Sequence, residues 1–357
     1  MSDLQKLITL RHEQRFHEAL SLGEELLTFL PNLIRLLEEM VLIFYFANQK
    51  EKAYRCVERI LLLRPVDKNI QSRALFNVRL FHDLYIDEHW TPLTTLTGVH
   101  RPVKQIILTV TTCKRFNLFE RTIRSFIRSC VDLDWLTTFI CVDDNSSASE
   151  RALMKKRYPF FKFIWKTKDQ KGHCTSMQLL VQKLQSLQVP PRFILHLEDD
   201  WEFLSRVSIQ DLIEILYEGY SEGVRQVAFN KNYAELPSQN ILGGEERQTQ
   251  SNLTYYIHEH VQTDEQRLAF DLKHGTGMTC HYWPHFTLQP SIFFYSILNE
   301  IPFQPGPSFE MTFARRYTSQ GWKTAFLPVS LCKHIGKLLN DTDVLNKNAY
   351  HLNDEQR

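Results

Sequence analysis

Two patterns of apolar and polar positions divide the chain. Up to about residue 88 the apolar residues recur every three to four positions and Gly is almost absent, the period of amphipathic helices. Residues 89 to 104 lose that period and carry Pro92 and Pro102, as a linker would. Beyond them, short apolar runs alternate with helical stretches. The pattern predicts strands over 106–111, 138–142, 161–165 and 192–197, and helices over 117–130, 148–157 and 173–187. Such alternation implies an α/β domain with a mostly parallel sheet and right-handed crossovers.

The helical part repeats itself. Aligning Pro31 with Pro65 sets Ala19 on Ala53, Leu26 on Ile60 and Leu27 on Leu61, an offset of 34 residues. This resembles the tetratricopeptide repeat, with a small residue where helices cross, an apolar helix and a terminating proline. Residues Ile70 to Leu84 would form a closing helix over the last apolar face. The expected division is a helical domain over 1–95 and an α/β domain over 96–357. The helices would pack on the second domain, or would dock a protein partner, an acceptor or another copy of the chain.

Candidate chemistry sits at the strand ends. The run from Phe193 to Leu197 stops at Glu198-Asp199-Asp200, and the run from Phe139 to Val142 stops at Asp143 and Asp144. The first strand runs into Thr111-Thr112-Cys113-Lys114-Arg115. Strands that deliver polar groups at their carboxyl ends build the ligand crevice of an open α/β sheet. Clustered carboxylates repel one another and call for a cation, most simply a hard divalent metal. The bland alternative is that the acids after Leu197 cap a following helix, and that those after Val142 make a turn with Asn145 and Ser146.

In order and spacing, these pieces resemble an inverting glycosyltransferase of the GT-A fold, in the style of family 2, over about residues 104 to 336. Val142-Asp143-Asp144-Asn145-Ser146-Ser147 matches the family's nucleoside segment, whose second Asp accepts a hydrogen bond from uracil. Thr111, Cys113 and Arg115 stand in the nucleotide loop; Cys113 occupies a position where the family often has an aromatic. Lys171-Gly172-His173-Cys174 opens the helix beneath the pyrophosphate. Glu198-Asp199-Asp200 stands as the DxD motif, in the Glu-Asp-Asp form that N-acetylglucosaminyltransferase I also has. The resemblance implies Asp200 as ligand of Mn²⁺ or Mg²⁺, with Glu198 and Asp199 orienting the UDP-sugar donor. Ser308-Phe309-Glu310, ahead of Arg315-Arg316 and Gly321-Trp322-Lys323, implies Glu310 as the base that takes the proton of a saccharide or glycoconjugate acceptor. It also implies His334 as a late histidine reaching the metal or the pyrophosphate. The Gly-, His- and aromatic-rich stretch 274–286 would wall the acceptor pocket. Its His281 and His285 are four apart, a spacing zinc can use, but Pro284 between them breaks the helix that would present both.

Bulk properties narrow the field. At 357 residues, 43% hydrophobic and 23% charged, the chain is an ordinary globular one, and a formal net charge of +1 gives no argument for nucleic-acid binding. No stretch has the layout of a signal peptide or a transmembrane span, and seven scattered cysteines without a CxxC pair fit reduced thiols in the cytoplasm. Two other functions compete with the transferase. A nucleotidyltransferase on a similar sheet would want a Gly-rich loop after the first strand, and Thr111 to Leu118 contains no Gly. A non-catalytic repeat scaffold would have no need to keep Glu198, Asp199, Asp200 and Glu310.

Overall fold

A computed structural model of the protein describes residues 3–30, 33–47, 49, 52–53, 56, 60, 106–306, 308–336 and 352. The closing helix expected over 70–84, the linker over 89–104 and most of the second repeat copy lie outside the described residues. The chain falls into two units, a helical one within residues 1–100 and an α/β one over most of 101–357.

In the first unit, α1 (Asp3–His12), α2 (Phe16–Phe29) and α3 (Ile34–Phe46) pack around Leu7, Ala19, Leu36, Met40 and Val41. Ala53 and Ile60 join that core. A Cβ on Gly23 would meet Met40 Sδ at 2.0 Å, so α2 and α3 approach closely only because that position is glycine.

The second unit opens with four parallel strands: β1 (Ile106–Thr112), β2 (Leu136–Asp143), β3 (Phe161–Trp165) and β4 (Phe193–Glu198). Between them run α4 (Phe116–Ser129), α5 (Ala148–Arg157) and α6 (His173–Gln185). Each element lies within two residues of its expected bounds. All seven residues of β1 are buried, as the centre of a sheet covered on both faces requires. Ser147 caps α5 reciprocally with Glu150, and Asn145 ahead of it takes the left-handed φ of 64° that Asn tolerates.

After β4 come the short β5 (Trp201–Phe203), α7 (Ile209–Glu218) and β6 (Val224–Ala228). The hairpin of β7 (Glu245–Gln248) and β8 (Thr254–Ile257) leads to α8 (Asp264–His274) and β9 (Ser291–Phe294). Last come α9 (Ser296–Glu300), α10 (Phe309–Ser319), β10 (Lys323–Phe326) and β11 (Cys332–His334). The main sheet runs β3-β2-β1-β4-β9-β6-β10-β8-β7, with β9 antiparallel to both neighbours. β5 and β11 pair apart from it, with Trp201 opposite His334. The residues after Glu198-Asp199-Asp200 therefore form a strand, and those acids cap no helix. Phe286, Phe293, Phe313 and Tyr317 pack α10 and its approach on one face of the sheet, which fixes the helix that carries Glu310.

Candidate active site at the carboxyl edge of the sheet

Register sets the first contacts. Thr112 lies opposite Asp143 and Thr111 opposite Glu198, so the ends of β1, β2 and β4 stand side by side. Asp199, 1% exposed, is tied to the β1 loop: its Oδ2 accepts from Thr112 Oγ1 at 2.8 Å and from the Cys113 amide at 3.0 Å. Its Oδ1 is paired with Arg115 Nη2. Arg115 Nη1 then reaches Asp200 Oδ2 at 3.0 Å, and His334 Nε2 meets the same oxygen at 3.2 Å. The β5–β11 pairing brings His334 there, and the Ile335 amide donates to the Asp200 carbonyl at 2.8 Å. Gly336 packs on the carboxylate so tightly that a Cβ would lie 2.1 Å from Oδ2.

The electrostatics follow from this packing. Burial alone would raise the Asp200 carboxyl, but Arg115 and His334 outweigh it and hold the pKa down at about 2. Burial would lower Arg115 and His334, and their acidic partners raise both instead. Asp199 is pushed up by burial, against the pull of Arg115. Buried Arg115 Nε has no partner among the described residues.

The β2 end forms a second cluster. Asp144 Oδ2 accepts from the Gly172 amide at 2.8 Å and pairs with Lys166 Nζ at 3.0 Å; Oδ1 accepts from Asn145 at 2.9 Å. Lys166 is almost wholly buried and also donates to Gly172 O and Ser176 Oγ, so it clamps the β2 end to the start of α6. Burial lowers its pKa, and Asp144 opposes that shift. Asp143, fully buried, accepts from Arg151 Nε at 2.6 Å and from the Ser146 amide at 3.2 Å. Lys171 stands half-buried just before Gly172. His173 lies 3.5 Å from Thr111 Oγ1, and burial, with Lys166 nearby, drops its pKa to about 4. Cys113 is pushed up to about 12, by burial first and by Asp199 and Asp144 next.

Glu310 sits in the first turn of α10. Its Oε1 accepts from the Leu288 amide at 2.8 Å and from Thr287 Oγ1 at 3.4 Å. Among the described residues nothing bonds its Oε2. Burial raises its pKa, partly offset by those two donors. Glu198 is raised well above the usual carboxylate range, by burial, then Asp200, then Glu310. That coupling puts the β4 acids and the α10 carboxylate in one crevice. In the 274–286 stretch, His285 is buried against His258 and His260, its ring centre 5.2 and 6.0 Å from theirs. His281 packs separately on Phe270. The two are thus held in different packing environments rather than as a zinc pair.

Asp200 and His334 offer a cation one carboxylate and one imidazole, donors that suit Mn²⁺ or Mg²⁺. Among the described residues no three His, Cys, Asp or Glu side chains form a metal cage. A bound diphosphate would have to supply further oxygens, the ordinary arrangement for Mg²⁺ at phosphate sites. The sequence reading found neither Lys166 nor Arg151. Their signal is faint, because a lysine one position past a strand looks like any surface lysine.

No family model and no curated protein matches the chain. Among solved structures it is similar to the mannosyltransferase PcManGT from Pyrobaculum calidifontis in complex with GDP-Man and Mn²⁺. That match has 13% identity over 80% of this chain and 70% of the other, with a TM-score of 0.43. It is also similar to GalNAc-T7 with UDP, GalNAc and Mn²⁺, at 14% identity and TM-score 0.44, over 74% of this chain and about half (51%) of the other. A third is glucosyl-3-phosphoglycerate synthase from Mycobacterium tuberculosis with Mn²⁺, UDP and glucosyl-3-phosphoglycerate, at 12% identity, covering 71% and 79%, with a TM-score of 0.40. No helix among the described residues is long and apolar enough to cross a membrane.

Proposed function

We propose that the chain is a metal-dependent glycosyltransferase of the GT-A type, moving a sugar from a UDP-linked donor to an acceptor hydroxyl with inversion. One observation supports this most. A single edge holds Asp200 shared between Arg115 and His334, and beside it Glu310 with one carboxylate oxygen open.

Each group has work that its surroundings suit. Asp200 and His334 would hold Mn²⁺ or Mg²⁺, which when bound offsets the negative charge building on a departing diphosphate. Arg115, pinned by Asp199, adds a fixed positive charge at the same place. Asp199 is consumed in holding the loop 112–115, so it positions Arg115 and touches the donor less directly than Glu198, whose side chain is 28% exposed. Asp144 accepts from the uracil ring, with Lys166 and the Gly172 amide fixing its carboxylate. Lys171 and the amino end of α6 face the phosphates. Glu310 Oε1 is anchored to Leu288 and Thr287, and Oε2 takes the acceptor's proton as the hydroxyl attacks. The raised pKa of Glu310 makes it a better base than a solvated carboxylate.

In this reading the helical domain, over about 1–95 and built of tetratricopeptide-like repeats, docks the acceptor or a partner. The free cysteines suit the cytoplasm. Donor hydrolysis and nucleotide binding with UDP- and GDP-sugars, each with and without Mn²⁺, test the proposal. Mn²⁺-dependent hydrolysis of a UDP-sugar is expected; absence of nucleotide binding in every condition would end it.

A further inference from the structure

Glu235 lies on the loop after β6, outside every motif read from the sequence. The backbone around it is fixed from several sides. Asn230 Nδ2 donates to Ala234 O and Cys332 O, each at 2.8 Å, and its Oδ1 accepts from the Cys332 amide. Asn232 and Tyr233 both hold left-handed φ, 49° and 59°, a conformation costly for non-glycine residues that persists only where the surroundings impose it. Asn232 Nδ2 donates to Ile241 O and Gly243 O, and the Tyr233 hydroxyl donates to His285 O. The Glu235 carbonyl accepts from the His334 amide at 2.7 Å, and its own amide donates to Gln239 Oε1 at 2.7 Å.

The half-buried carboxylate itself is bonded by nothing among the described residues. Its neighbours are known from the charge it exerts. At His334 burial lowers the pKa, and Asp200 and then Glu235 raise it. Cys280 is pushed up to about 11 by burial, with Glu235 adding. Tyr282 is raised by Cys280 and burial, again with Glu235 contributing. The carboxylate therefore lies between the Asp200–His334 pair and the 274–286 wall. A rigidly held acceptor group without a partner, beside the place where a diphosphate would sit, is built to meet hydroxyl donors.

Resting on the transferase reading above, we infer that Glu235 determines donor-sugar specificity: its carboxylate accepts hydrogen bonds from the hydroxyls of an uncharged hexose or N-acetylhexosamine. The same charge repels a hexuronate, whose own carboxylate would be brought against it.

The test is calorimetry with Mn²⁺ of UDP, UDP-glucose, UDP-galactose, UDP-N-acetylglucosamine and UDP-glucuronate, on the full chain and on Glu235→Ala and Glu235→Gln. Melting temperatures verify folding. The Ala variant should lose roughly 10–100-fold in affinity for the best neutral donor while keeping that for UDP. The Gln variant, which still offers an acceptor oxygen, should lose less. In both, UDP-glucuronate should gain relative to the neutral donors. Unchanged affinities for the neutral sugars and unchanged rejection of UDP-glucuronate in both variants would overturn the inference while leaving the transferase reading intact. Wild-type protein that binds no UDP would instead overturn that reading, and the inference with it.

Discussion

Gly336→Ala is a small change with a calculable effect. The added Cβ would lie 2.1 Å from Asp200 Oδ2, 2.8 Å from Cγ and 2.9 Å from Asp200 Cβ. A carbon and an oxygen in non-bonded contact need roughly 3.3 Å, so one side must give by about 1.2 Å. The backbone cannot easily retreat, because the Ile335 amide is bonded to Asp200 O at 2.8 Å and β11 is paired with β5. The carboxylate must therefore swing. Its Oδ2 holds Arg115 Nη1 at 3.0 Å and His334 Nε2 at 3.2 Å, and a shift of that size carries at least one contact past about 3.6 Å, where no hydrogen bond remains. A hydrogen bond to a charged group is worth about 1.5–3 kcal/mol, or about 10- to 100-fold in affinity. Calorimetry of UDP with Mn²⁺ and a donor-hydrolysis assay should both register a loss of that order, with a nearly unchanged melting temperature. A Gly336→Ala protein within twofold of wild type in both assays would refute the assignment of Asp200 as the centre of the site.

Asp200→Ala removes the shared carboxylate outright and should abolish Mn²⁺-dependent UDP binding, a loss of at least ~2–3 kcal/mol; calorimetry with unchanged affinity would contradict it. Glu310→Gln should lower kcat by about 10²–10⁴-fold with donor affinity nearly unchanged, and product NMR from the wild type should show the anomeric configuration inverted. The pH profile checks the same residue. Burial raises the Glu310 carboxyl above 4.5, so the ionised base is lost as pH falls through that raised value, and the acid limb of kcat should lie above pH 4.5. Since its folded-state pKa exceeds the unfolded one, ionised Glu310 costs stability at neutral pH; Glu310→Gln should melt no lower than wild type there. A chain beginning at Val103 should stay soluble and bind UDP while losing turnover on a large acceptor; aggregation, or loss of nucleotide binding, would mean that the helices complete the catalytic unit.

How far the sequence carried depended on the range of the interactions. The first four strands and their helices follow from local period and from turn residues, and their bounds came within two residues. Ser147 with Glu150 is a capping box visible as four letters. The second half of the sheet was less legible, because β6, β9 and β10 are only four or five residues long and owe their pairing to distant partners. The meeting of His334 with Asp200 rests on a two-strand ladder 134 residues apart in sequence, which no window contains. Repulsion among Glu198, Asp199 and Asp200 pointed to a cation. Which protein cation lies against them, Arg115, depended on where the β1 loop folds back. Lys166 and Glu235 were missed for opposite reasons: one is a buried lysine in a polar stretch, the other an acid in a loop with nothing unusual beside it.

The place of β9 dictates an order of assembly. β1 to β4 can pair as soon as residue 198 has been made, since each contacts a neighbour within that stretch. β6 follows soon after in sequence but has no direct pairing with them. It joins the sheet through β9, synthesised some hundred residues after β4, and β10 in turn joins through β6. During synthesis the nucleoside-binding half would thus stand finished with the β4 edge bare. Apolar Ile194 and Leu195 would wait there for Phe293 and Ile292. Closure of that edge is a long-range step, the slow and aggregation-prone kind. A nascent chain stalled before residue 291 would carry an exposed strand edge, and a chaperone that covers such edges would act in that interval.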